Sequence, residues 1–253
     1  MPSIIAGRKP VIEALKSGAQ IEQVVFLAGV QGNVIREIRD LAEHRHVKVT
    51  QANKVEFREL AVDATTQGVV AIVPTKTYVG LDDILKIPGG RKEKGFLLIL
   101  DEIEDPHNLG ALVRTAECAG VHGVVFPKHH AASVTTTVVK TSAGATEHMA
   151  MAEVTNIVNI LEQLKEDHYW VVGLDATGDR LYTQVDYETP VALVVGNEGK
   201  GIRRLVREHC DHLVKIPLFG AIPSLNASVA GALVMFEVAR QRKKFGGTNG
   251  ATP

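Results

Sequence analysis

Apolar residues in this chain fall into two alternating patterns: short continuous runs and stripes spaced three or four apart. Both occur in the first 75 residues. Val24-Val25-Phe26-Leu27 and Gly68-Val69-Val70-Ala71-Ile72-Val73 are runs of strand length, and Val47-Lys48-Val49 is a shorter one. Between them, Val34, Ile35, Ile38 and Leu41 keep helical spacing, and residues 55–60 fit a further helix. Pro10 suits the first turn of a helix carrying Val11, Ile12, Ala14 and Leu15. These elements predict a small α/β domain over 1–75.

Residues 76–95 read as a connector. Pro74 ends a strand, residues 81–85 fit one or two helical turns, and Pro88-Gly89-Gly90-Arg91-Lys92-Glu93-Lys94-Gly95 has loop composition. The pattern restarts with the fully apolar Phe96-Leu97-Leu98-Ile99-Leu100. Strands follow at Val124-Val125-Phe126, Trp170-Val171-Val172, 191–195 and 213–216, with helices over 109–118, 157–164 and 228–242. Continuous apolar strands alternating with helices predict a mostly parallel sheet with helices on both faces. This second domain spans 96–245, and 246–253 reads as a flexible tail.

Composition adds little until charge is mapped. The hydrophobic fraction is 45% and the net charge −1, so the total implies no nucleic-acid partner. Residues 199–244, however, carry net +6, against +1 for 1–75. That basic quarter is either a phosphate-facing surface or a solvated helix face. No apolar run approaches the roughly 18 residues that span a bilayer. Met1-Pro2-Ser3-Ile4-Ile5-Ala6-Gly7-Arg8-Lys9 lacks the apolar stretch of a secretion signal. Cys118 and Cys210 make neither a disulfide framework nor a metal site. A cytoplasmic protein with reduced thiols, no membrane segment and no metal is expected.

In an open parallel sheet, ligands bind at the carboxyl ends of strands. Three loops at such ends carry more than a connector needs. After Leu100 comes Asp101-Glu102-Ile103-Glu104-Asp105-Pro106-His107-Asn108, with Asn108 a candidate helix cap and Arg114 opposite the apolar stripe of the following helix. Alone, Arg114 reads better as an ordinary exposed arginine than as a functional one. After Val195 comes Gly196-Asn197-Glu198-Gly199-Lys200-Gly201, either a sharp turn or backbone that a ligand approaches closely. It is neither a phosphate-binding P-loop nor a dinucleotide fingerprint, which excludes an ordinary doubly wound oxidoreductase. After Ile216, the residues Ser224, Asn226 and Ser228 crowd a helix start where one cap would suffice.

Together these loops resemble the three sequence motifs of the SpoU, or TrmH-like, family of RNA 2'-O-methyltransferases. The matching positions are Asn108, Gly110, Arg114 and Thr115 in the first motif, and Gly196, Glu198 and Gly201 in the second. Ile216, Pro217, Ser224, Leu225, Asn226, Ser228 and Ala230 match the third. Ala6-Gly7-Arg8-Lys9-Pro10-Val11 and Thr66-Gln67-Gly68-Val69-Val70-Ala71 resemble the start and end of the family's N-terminal RNA-binding domain, which is like a ribosomal protein. Asp105-Pro106-His107-Asn108 and Arg203-Arg204-Leu205-Val206-Arg207-Glu208-His209-Cys210 resemble the subgroup that methylates a guanosine in 23S ribosomal RNA.

The resemblance implies a C-terminal domain tied as a deep trefoil (SPOUT-type) knot, an S-adenosylmethionine donor, an RNA partner and a homodimer. It implies donor contacts at Gly196, Ile216, Leu225, Asn226 and Ser228, and catalytic roles for Arg114, Asn226, Glu198 and Asn108. Glu198 is alternatively structural, satisfying backbone N–H groups of its own turn. RNA contacts are expected at Arg8, Lys9, Arg203, Arg204 and Arg207. A transfer-RNA methyltransferase, a resistance-type enzyme acting at another ribosomal RNA site, and a non-catalytic ribosome-assembly protein are the alternatives.

Overall fold

The computed structural model describes residues 3–16, 18–60, 66–73 and 77–242. The tail expected at 246–253 lies outside the described residues. The chain separates into two compact units, 1–77 and 78–253.

The first unit runs β1 (Ser3–Ala6), α1 (Arg8–Lys16), β2 (Gln23–Leu27), α2 (Asn33–His44), β3 (Lys48–Ala52), α3 (Lys54–Leu60) and β4 (Val69–Val73). Its sheet has the order β1-β4-β2-β3, with β2 and β3 parallel and β4 antiparallel to both β1 and β2. Val24 and Phe26 pack with Val11, Leu15 and Ile38 on one face, while Val25 packs with Phe57 and Val70 on the other. Such alternation is what period-two side-chain geometry requires of a strand covered on both faces. Strand β1 was not expected, because four residues give too short a pattern to read. Helix α1 begins at Arg8, two residues before Pro10.

The second unit contains α4 (Leu81–Arg91), β5 (Phe96–Asp101), α5 (Pro106–Ala119), β6 (Gly123–Pro127), α6 (Thr136–Thr141), α7 (Ala145–His148), β7 (Met151–Val154) and α8 (Ile157–Glu166). It continues with β8 (Trp170–Leu174), β9 (Arg180–Leu181), β10 (Val191–Gly196), α9 (Arg204–Glu208), β11 (His212–Lys215) and α10 (Ala227–Arg242). The strand order is β7-β6-β5-β10-β8-β11-β9, and every strand pairing in this sheet is parallel. Phe96, Leu98 and Leu100 face a core shared with α5 and α10. Leu97 and Ile99 face the opposite core with α4 and α8. Helices thus cover both faces, which is why the central strands are apolar at every position.

Residues 78–95 are not a free connector. Leu81, Ile84 and Pro88 form a buried stripe on α4, and Leu81 and Ile84 join the core under β5. The helix runs through Pro88-Gly89-Gly90 and ends at Lys92, whose φ of 56° closes it in the left-handed region. A proline removes only one helical N–H, and burial of the stripe outweighs the poor helix propensity of this segment. At the other end of the unit, α10 lies close to α5 through Gly231, where a Cβ would come within 2.7 Å of Leu112 Cδ2. This close approach brings the C-terminal helix to the middle of the sheet rather than to its edge.

Cys210 packs beside Gly173 and donates to the Val206 carbonyl at 3.4 Å, and burial pushes its thiol up to about 12. Cys118 is exposed on α5. Thiolate is the reactive form. With a colorimetric disulfide reagent at neutral pH, one thiol per folded chain, Cys118, reacts promptly, and Cys210 reacts only on denaturation. Prompt reaction of both contradicts this packing.

Candidate active site

The carboxyl ends of β5, β10, β8 and β11 are neighbours in the sheet, so the loops that leave them gather at one edge. Those after β8, β10 and β11 form a cleft of about 490 Å3 lined by Gly196, Glu198, Thr177, Ile216, Leu218 and Leu225 among others. A cleft of this size, lined by both apolar and polar residues, suits a small organic ligand.

The glycine-rich loop is shaped by close backbone contact. A Cβ on Gly196 would come within 2.4 Å of the Gly201 carbonyl carbon, so residue 196 must be glycine where the loop folds back on itself. Gly201 adopts a φ of 69°, which favours glycine. Asn197 exchanges backbone hydrogen bonds with Gly201 at 3.1 and 2.8 Å. Its side-chain oxygen accepts from the N–H groups of Gly199 and Lys200. Asn197, not Glu198, therefore satisfies the turn's backbone.

Glu198 instead ties the loop to two other segments. Its Oε1 accepts from the Asn108 amide at 2.5 Å and from the Asn226 amide. Asn226 also donates to Asn108 Oδ1 at 2.9 Å. The three side chains form a closed ring across sequence separations of 90 and 118 residues. Each outer member is held in turn. Asn108, buried on the first turn of α5, also donates to Asp105 Oδ2 at 3.2 Å. Asn226 Oδ1 accepts from Ser228 N at 3.0 Å and Ser228 Oγ at 2.5 Å, capping α10.

The N-cap of α5 is Asp105, not Asn108. Asp105 accepts from His107 N at 2.9 Å, and Pro106 takes the first helical position, where no N–H is needed. Asn108 is thereby freed for the ring. Gly196, Ile216 and Leu225 line the cleft as expected donor-contact positions. Asn226 and Ser228 are engaged in the ring and the cap beside it. Arg114 is exposed on α5 and does not line the cleft.

The three arginines of the second unit expected to meet RNA are differently placed. Arg203 is bound to Asp101 and Glu102. Arg207 lines the cleft and donates to Thr177 Oγ1 at 2.8 Å. All three are exposed, Arg204 the most, and Arg204 pairs with Glu208. In the other unit, Arg8 donates to Gln67, joining the two N-terminal stretches of the motif. The loop over 174–177, with Asp175 holding Thr177, was missed. It follows β8, and inspecting that strand's carboxyl end as closely as the others would have found it. Among the described residues, no group of three His, Cys, Asp or Glu side chains is placed to hold a metal ion.

Two stretches of the chain match known families. Residues 95–236 match the SpoU rRNA Methylase family, and residues 4–79 match the RNA 2'-O ribose methyltransferase substrate binding family. YacO of Bacillus subtilis (strain 168), named for the TrmH family of tRNA/rRNA methyltransferases, is 43% identical over 96% of this chain and 97% of its own. The SpoU methyltransferase AviRb from Streptomyces viridochromogenes, solved with AdoMet, is 25% identical, covering 94% of this chain and 90% of its own with a TM-score of 0.62. An AdoMet-bound rRNA methyltransferase from Sinorhizobium meliloti is 26% identical, covering 94% and 86% of the two chains with a TM-score of 0.61.

The ring makes an energetic prediction. Glu198→Ala and Asn226→Ala each lower stability by about 1 kcal/mol, a partly solvated hydrogen bond and a helix cap being of that order. Because both remove the same bond, urea unfolding of the double variant shows a loss smaller than the sum by about 0.5 kcal/mol or more. Strict additivity contradicts a shared ring.

Proposed function

The chain belongs to the SpoU rRNA Methylase family and is an RNA methyltransferase of that family, and we propose that it methylates the ribose 2'-hydroxyl of a guanosine in 23S ribosomal RNA. In this reading it is a cytoplasmic homodimer that uses S-adenosylmethionine, with residues 1–77 choosing the RNA and the three loops of the second unit holding the donor. The observation that carries the reading is the cleft at the strand ends, framed by the Asn108–Glu198–Asn226 ring. The ribose target is supported by the substrate-binding match over 4–79, and the ribosomal RNA target by the SpoU rRNA Methylase match over 95–236. It is also supported by the Sinorhizobium rRNA methyltransferase, which aligns with 94% of this chain.

When bound, S-adenosylmethionine supplies a methyl group already activated by the sulfonium charge. The protein's part is to align the acceptor and manage its proton. The Gly196 backbone, Ile216 and Leu225 form the donor's walls. The chain between 196 and 228, followed by α10, is the threaded part of a trefoil knot, an arrangement rare in proteins generally. The return of α10 to α5 in mid-sheet supports that threading.

Arg114 cannot serve as the base, because a guanidinium stays protonated in proteins. Its role is to neutralise the developing alkoxide or the adjoining phosphate, leaving the proton to Glu198, a phosphate oxygen or water. Asn108 and Asn226 act by holding Glu198. Arg8, Lys9 and Arg204 remain the RNA contacts of this reading, while Arg203 and Arg207 are assigned to the donor side.

A dimer supplies what one subunit lacks. Over 229–236 helix α10 is apolar on all sides, with Val229, Leu233 and Phe236 exposed at i, i+4 and i+7. A helix apolar all round is normally buried all round. In this reading a second copy covers this stripe, and Arg114 of one subunit serves the donor of the other.

Arg114→Ala keeps donor affinity and loses about a hundredfold or more in transfer, as when one charge-stabilising donor is removed from an active site. Calorimetric titration with the donor and a tritiated-methyl assay on ribosomal RNA read the two effects, and undiminished transfer overturns the assignment. Leu233→Arg sediments as a monomer, and a stable dimer in that variant contradicts the α10 interface.

A further inference from the structure

Asp101 is the last residue of β5, and its carboxylate has no exposed surface. A carboxylate buried without partners is strongly unfavourable, so its partners carry information. All of those found come from one residue. Arg203 donates its backbone N–H to Asp101 Oδ2 at 2.8 Å and its Nε to Oδ1 at 2.7 Å, and its Nη2 lies 2.6 Å from Oδ1.

The next residue holds the other end of the same loop. The Glu102 carbonyl accepts from Asn197 Nδ2 at 3.0 Å, and the Glu102 carboxylate lies 3.5 Å from Arg203 Nη1. Glu102 has a φ of 60°, a left-handed conformation that non-glycine residues adopt only when their surroundings impose it. Two consecutive residues at the end of β5 therefore grip the glycine-rich loop at both ends, by Asn197 where it leaves β10 and by Arg203 two residues past Gly201. Asp101, Glu102 and Arg203 are absent from the cleft lining, whereas residues 195–201 are all in it.

We infer that Asp101 and Arg203 are positioning residues for the methyl donor, a clasp that fixes the loop over 196–201 in its donor-binding shape. The inference rests on the proposed donor site. It removes Arg203 from the RNA-contact surface that its place in a basic stretch first indicated. The pair is asymmetric: Asp101 is fully buried and the Arg203 side chain is 44% exposed, so losing Arg203 strands a buried carboxylate and a mild change is the informative one. Lysine keeps the charge of Arg203 but cannot reproduce the two-pronged guanidinium contact.

The test measures donor affinity and RNA use separately, on the full-length protein. Arg203→Lys is titrated with S-adenosylmethionine by calorimetry, and its KM for unmodified 23S RNA transcript is measured by tritiated-methyl transfer. The expected result is a donor Kd raised about tenfold, the equivalent of one charge-assisted hydrogen bond lost. The RNA KM stays within about twofold of wild type. The neutral pair Asp101→Asn with Arg203→Gln is made in parallel, and any variant that keeps the wild-type circular dichroism is carried to titration.

A raised RNA KM with unchanged donor affinity makes Arg203 an RNA contact and overturns the inference. Unchanged donor and RNA constants with a lower Tm, or failure of both variants to fold, makes the pair purely structural and also overturns it. A wild-type protein that binds no donor defeats the proposed function itself, and the clasp falls with it. Equal donor binding by wild type and variant defeats the clasp alone.

Discussion

The Glu198 carboxylate is the point on which the arrangement of the site depends. One of its oxygens receives amide hydrogens from Asn108 and Asn226, and the two asparagines are bonded to each other. These residues stand at the start of α5, in the loop after β10 and at the cap of α10. No strand pairing joins those three places, and the sheet alone leaves the loops free to diverge. Once the ring closes, the loop after β10 is set against the two helices whose starts carry Asn108 and Asn226. Arg114 then has a fixed relation to the cleft through the helix it shares with Asn108.

A ring of exposed and half-buried hydrogen bonds is worth little by itself, because water competes for each partner. It needs a loop that is already nearly in place. Close packing of Gly196 against Gly201 and the grip of Asp101 and Glu102 on Arg203 and Asn197 provide that. The costliest term, a fully buried carboxylate, thus sits at the loop's anchor and not at its exposed tip. Chemistry is left to groups near the surface, where RNA can reach them.

Much of this was legible in the sequence. Five consecutive apolar residues in β5 and the apolar core of β10 could only be central strands, and the three motif loops follow strand ends as a parallel sheet requires. What failed did so for physical reasons. Pro88-Gly89-Gly90 has loop composition, but the burial of Leu81 and Ile84 under β5 keeps the segment helical. Asn108 looked like a cap because its tertiary partners lie 90 and 118 residues away. Charge counting also cannot see that Arg203, itself part exposed, is paired with the buried Asp101, distant in sequence. Long-range polar pairing leaves no periodic trace, so the scaffold was easier to read than the roles of its charges.

The most direct test of the proposed activity is a map of ribose methylation in total RNA from cells with and without this protein, read by the resistance of 2'-O-methylated positions to alkaline cleavage. The account predicts that one guanosine of 23S ribosomal RNA loses its protection when the protein is absent and regains it when the wild-type chain is restored. A ribose-methylation map that does not change, or that changes only in transfer RNA, contradicts it.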